Sequence, residues 1–151
     1  MGLDMYLYKH TYVQNWDHMS PERLHEITIK RNGKIREDIK PERIAYIVEV
    51  VGTWRKFNAL HNWFVKECQG GVDECQTSRV PREKLELLLF NLKQIQANHD
   101  LAETYLPTVN GFFFGGTEYS EWYFNDVDRT IVILEDILKD KESEYYYHSS
   151  W

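Results

Sequence analysis

The chain predicts a mixed α+β fold, a single domain over residues 1–151 in which a largely antiparallel or mixed sheet packs against about three helices. Three observations carry that expectation. The N-terminal stretch alternates with a period of two, as a half-buried strand does. Asn32-Gly33 sits between two short alternating runs, the dipeptide preferred in a tight hairpin because both central residues need positive φ. Further along, apolar residues recur at spacings of three and four, the mark of amphipathic helices.

Taken in order, Leu3 to Val13 is the first strand, with Leu3, Met5 and Leu7 alternating against Asp4, Tyr6 and Tyr8. Ser20 and Pro21 then start a short helical turn. The hairpin around Asn32-Gly33 carries Lys30, Arg31, Lys34 and Arg36, a solvated and charge-protected edge. "RIAYIVEVVGTW" is rich in Ile and Val and reads as a central strand that Gly52 breaks. Thr53 to Val65 reads as the first long helix, running on to a C-cap at Gly70 and Gly71. "TSRVP" is a short edge strand, with Pro81 opening the next helix. In that helix Leu85, Leu88, Leu92 and Ile95 share one stripe. A loop punctuated by Pro107, Gly111, Gly115 and Gly116 leads to the last helix, beginning at Ser120 or Glu121. Its stripe is Phe124, Val127, Ile131, Leu134 and Leu138. Residues 143–151 form a C-terminal tail or a final edge strand, and the three tyrosines Tyr145, Tyr146 and Tyr147 favour the strand.

Composition narrows the partners. Of 151 residues, 18 are basic and 24 acidic, a net charge of −6, and phosphate-backbone binding needs clustered cations instead. Nucleic acid is therefore not the expected partner. Aromatics reach 15%, an excess that suits ligand or partner surfaces. No apolar run approaches the ~18 residues of a membrane span, and "MGLDMYLYKH" has no signal-peptide h-region. Cys68 and Cys75 lack the paired spacing of a structural zinc site and read as free thiols in a reducing cytosol. The six histidines show no metal-ligand spacing, and no cofactor-binding or catalytic motif is present, so no cofactor, metal or catalytic residue is assigned.

Two stretches concentrate polar groups among aromatics. On the helix read from Thr53, Phe57, Leu60 and Phe64 line up for burial, while Trp54, Asn58 and His61 form a neighbouring stripe flanked by Arg55 and Asn62. An indole, a guanidinium, amides and an imidazole can hold a planar anionic ligand: the ring stacks, Arg pairs a phosphate, and Asn reads an edge. The second stretch is the glycine-flanked loop, with Gly115, Gly116, Thr117, Glu118 and Tyr119. Glycines there let the backbone approach a ligand or adopt positive φ. It is not a P-loop, because no lysine follows. The alternative readings are core packing with a polar fringe for the helix, and an aromatic plug, Phe112 to Phe114, for the loop.

The stretches "MGLDMYLYKHTYV", "VGTWRKFNALHNWFV", "LPTVNGFFFGGTEYSEWYFNDV" and "TIVILEDIL" resemble, in the same order, a family of small proteins of phages and prophages. The resemblance runs from Gly2 to about Leu138 and is weakest in the hairpin and the "EYYYHSSW" tail. That family has no established catalytic residues, so none is carried over. What the resemblance implies is a protein in the cytoplasm of an infected or lysogenic bacterium, acting as a phage accessory factor. Three functions are then open. The first is a module that sequesters a small nucleotide-like ligand and so counters host antiviral defence. The second is an inhibitor that docks on a host defence protein, with the negative charge and the tail tyrosines at its interface. The third is a small enzyme acting on a nucleotide, with His61 as acid or base beside Glu118 or Asp4, and Arg55 as phosphate clamp. An aromatic-rich edge strand that pairs with its copy makes a homodimer the expected assembly.

Overall fold

A computed structural model of the chain describes residues 2–110 and 116–151. Four strands form the main sheet: β1 (Asp4–Tyr12), β4 (Tyr46–Arg55), β5 (Ser78–Val80) and β6 (Glu144–Ser150), in the order β4-β1-β6-β5. All of its pairings are antiparallel. A two-stranded hairpin, β2 (Lys30–Arg31) and β3 (Lys34–Ile35), stands apart, turning on Asn32 at φ 52° and Gly33 at φ 78° as its dipeptide requires. The helices are α1 (Asn58–Cys68), α2 (Arg82–Ala97), the single turn α3 (Ala102–Tyr105) and α4 (Glu121–Ile137). The α+β expectation holds, with α3 added.

Alternation decides which sheet face is buried. Leu3, just before β1, and Met5 and Leu7 of β1 join Trp54 of β4, Val80 of β5 and Tyr145 and Tyr147 of β6 in one core. The helices complete it with Leu60 and Phe64, with the Leu85–Leu88–Leu92–Ile95 stripe, and with Val127, Ile131 and Leu134. Phe124 and Leu138, at the ends of the α4 stripe, are only partly buried. Phe64 stacks on Tyr147 at 4.0 Å, fastening α1 to the sheet. All of these elements enclose that one core.

Three expectations need correction. The strand read as central, β4, is at the edge, because β1 takes the place between β4 and β6. The C-terminal stretch, read as a tail or edge strand, lies inside the sheet between β1 and β5. Its tyrosines are accordingly not an exposed set: Tyr145 and Tyr147 are buried, and only Tyr146 points outward. Nor does Gly52 break its strand, since β4 continues through it to Arg55. A Cβ at Gly52 would come within 2.6 Å of the Trp54 indole, which folds back across it. The glycine is a seat for the ring. The run of Ile and Val around it pointed to a sheet interior, but a register shift near Gly52 leaves Tyr46–Val50 exposed.

Candidate functional site

The corner between β4 and α1 is built by Lys56. Its φ of 56° reverses the chain, and its N–H donates to the Leu3 carbonyl at 2.8 Å. The strand thus ends at Arg55 and the helix begins at Asn58, so Trp54 and Arg55 are strand residues and not the first turn of α1. Period two then sends them to opposite faces. Trp54 is buried, with its indole N–H donating to Thr130 Oγ1 at 2.8 Å and the Arg129 guanidinium 5.9 Å from its ring. It is a core residue. Arg55 projects outward beside Asp4, 3.7 Å away, and both remain largely in water.

A cleft of about 440 Å³ opens at this corner. The β4–α1 turn supplies Arg55, Lys56, Phe57 and Asn58, and the approach to α4 supplies Gly116, Glu118 and Ser120. The first turns of α4 add Trp122, Tyr123 and Asp126. Ser120 caps α4, its Oγ accepting the Tyr123 N–H at 3.5 Å. Tyr123 donates to the Leu106 carbonyl and is buried, fixing this wall. Trp122, one residue away in helical phase, is 81% exposed. Burial pushes the Asp126 carboxyl above its usual range, and the Arg129 guanidinium at 3.2 Å opposes that rise.

Four of the ten residues expected at a site therefore share this cleft: Arg55, Asn58, Gly116 and Glu118. Asn58 is buried, and its amide donates to the carbonyls of Val109 and Gly116 at 2.8 and 3.1 Å, so it fastens those two residues to α1. Gly116 needs no special backbone, because a Cβ there would meet nothing nearer than 3.9 Å. Thr117 and Tyr119 lash the loop base: the Thr108 hydroxyl donates to the Thr117 carbonyl, and the Thr108 N–H donates to the Tyr119 hydroxyl. Asn62 is half-buried on α1 outside the cleft lining. Gly115, and the aromatic plug read for Phe112 to Phe114, lie outside the described residues.

His61 does not face the cleft. It is 2% exposed, with Nδ1 2.6 Å from the Tyr147 hydroxyl and Nε2 2.8 Å from Asp73 Oδ2. Both ring nitrogens thus meet a polar partner inside the fold. The indole of Trp151 donates to the other Asp73 oxygen at 3.1 Å. Burial, then the nearby Asp73 carboxylate, drives the Tyr147 phenol far above its usual range, so it stays a donor. The pairing of His61 with Glu118 or Asp4 is thereby corrected: its partners come from the α1–β5 connection and β6. This network joins three segments of chain inside the fold.

Lys56, Trp122 and Asp126 were missed as site residues. Trp122 and Asp126 lie off the apolar stripe of α4, and the helical phase of "EWYFND" would have shown it. Lys56 carried no signal, since a positive φ in a residue other than Gly or Asn is not legible from composition. Cys68 and Cys75 are free, and burial pushes the Cys68 thiol up to about 11, away from reactivity. Among the described residues no group of His, Cys, Asp and Glu is placed to hold a metal ion, and no helix is long and apolar enough to cross a membrane. Comparison of the chain with protein-family profiles, curated proteins and solved structures finds no match.

Proposed function

We propose that this protein captures a small nucleotide-like ligand in the cleft at the β4–α1 corner, without turning it over. The observation that carries the reading is an indole left in water on the lining of a cleft that two cations also line. Trp122 and Arg55 are both mainly exposed, and Lys56 stands next to Arg55. A surface indole is a stacking platform for a flat ring, and adjacent cations suit a phosphate. Glu118 and Asp126 on the same wall supply acceptors for ribose hydroxyls or an exocyclic amine. A simple anion would find those carboxylates repulsive; a nucleotide uses both signs. The resemblance to phage and prophage proteins supports a setting in the cytoplasm of a bacterial host, where such capture would counter a defence signal.

The enzymatic alternative loses support, because both nitrogens of its acid–base candidate, His61, are engaged inside the fold. The alternative of docking on a host defence protein through the tail loses Tyr145 and Tyr147 to the core. The test is to purify the protein from bacteria, including infected cells, denature it and identify the released small molecules by mass spectrometry. A stoichiometric nucleotide, absent from Trp122→Ala, is the expected result. An empty protein from every source would contradict the reading.

A further inference from the structure

The sheet face opposite the helices is uncovered, and its residues are aromatic. Tyr12 meets Tyr46 edge-on at 5.2 Å, and His10 lies 6.3 Å from Tyr46 and 4.2 Å from Tyr146. Trp16 extends this row, its indole donating to the Tyr12 hydroxyl. On β4 the same face carries Tyr46, Val48 and Val50, which are 50%, 53% and 56% exposed. The charges on the face are balanced: Arg55 and Arg79 stand against Asp4 and Glu144. A base-stacking role would need a cationic surplus that is not there.

The edge of β4 adds a second observation. Opposite β1, no strand pairs with it among the described residues. Its C-terminal half is covered, since Arg129 donates to the Thr53 carbonyl at 2.7 Å. Between the halves the register shifts: Leu7 pairs with Gly52 but Tyr8 with Val50, leaving Val51 as an extra residue. From Tyr46 to Val50 the edge is bare. It holds no lysine and no proline; Glu49 is its one charge, and the bulge at Val51 lies beyond this stretch.

We infer that a second copy of this chain covers this edge, β4 pairing antiparallel with β4 of its partner about a twofold at Val48. In that register Val48 meets its own copy and Tyr46 meets Val50. Glu49 then faces Ile47, so no like charges are opposed. The twofold keeps both outer faces on one side and joins the two four-stranded sheets into one. The strand's own side chains, Tyr46, Ile47, Val48 and Val50, are between 40% and 56% exposed. They offer on the order of 400 Å² before edge backbone is added, against roughly 800 Å² per partner in a standard interface, so the seam is a small one in which the backbone ladder carries much of the contact. The inference is independent of the cleft, which lies at the other end of β4.

Sedimentation velocity with light scattering tests it. The native chain is expected to be a dimer at micromolar concentration. Val48→Lys and Val48→Glu each place like charges face to face on the axis and should weaken the dimer about 100-fold or more. An equimolar mixture of the two should restore it, because Lys then meets Glu. Arg79→Ala, on the same face but off the edge, should leave the dimer intact. Val48 is solvent-facing, so circular dichroism should show both variants folded. A monomeric native chain, a dimer indifferent to Val48→Lys, or a mixture that stays monomeric would each overturn the inference.

Discussion

Asn58 and His61 stand one turn apart on α1, and their surroundings have little in common. At the first turn the chain has just reversed at Lys56, and two cations and an exposed indole line an open cleft. At the second turn an imidazole is shut between a phenol and a carboxylate. The two ends use similar residue types for different work. What separates them is access: a polar group with all its partners inside the protein has nothing left for a ligand. Exposure of Trp122, more than any feature of His61, marks the end of the helix that is free to bind.

Substitutions can pull the two ends apart. The largest effect is expected at the closed end. His61→Ala removes a buried ring and strands the Tyr147 hydroxyl and Asp73, costing about 2–4 kcal/mol in urea unfolding. The folded fraction should still bind ligand at the cleft with native affinity. Gly52→Ala comes next, at about 1–3 kcal/mol, because its methyl group would displace the Trp54 indole from Thr130. At the open end the pattern reverses. Trp122→Ala and Arg55→Ala should leave stability within about 0.5 kcal/mol of native, since both side chains are in water. Calorimetric affinity for the nucleotide should fall about 10–100-fold in each. Stability losses of several kcal/mol in these two would place them in the core and erase the contrast.

The smallest effect is the dependence on pH. Burial raises the Asp126 carboxyl above its unfolded value. The sign follows: its contribution to stability is fully present below the unfolded pKa and is lost as pH rises through the folded one. In the cleft the same proton removes a carboxylate acceptor, so binding of the nucleotide should weaken a few-fold as pH falls toward that raised value. Asp126→Asn should flatten the profile and bind a few-fold weaker at neutral pH. A native profile that tightens on acidification would show that Asp126 meets the ligand only as a repelling charge.

Much of the architecture was legible because it rests on local rules. The Asn32-Gly33 turn, the Leu85–Ile95 stripe and the Ser120 cap each follow from a few adjacent residues. What failed depended on distant partners. The chain cannot announce that its last strand will insert between β1 and β5, which makes Tyr147 the partner of His61 across 86 positions. Arg55 and Asn58 line one cleft, although the premise that groups them, a continuous helix from Thr53, does not hold. The premise failed at Lys56, where tertiary context holds a left-handed turn that propensity argues against.

The most direct test is an amide NMR titration of the intact protein with a panel of mononucleotides and cyclic dinucleotides. The expected result is shifts at Arg55 to Asn58 and from Gly116 through Asp126 for at least one of them, with His61, Asp73 and Tyr147 unmoved. Shifts centred on His61 and Asp73, with the Arg55–Trp122 cleft silent, would be the contradicting result and would move the binding site to the His61–Asp73–Tyr147 network.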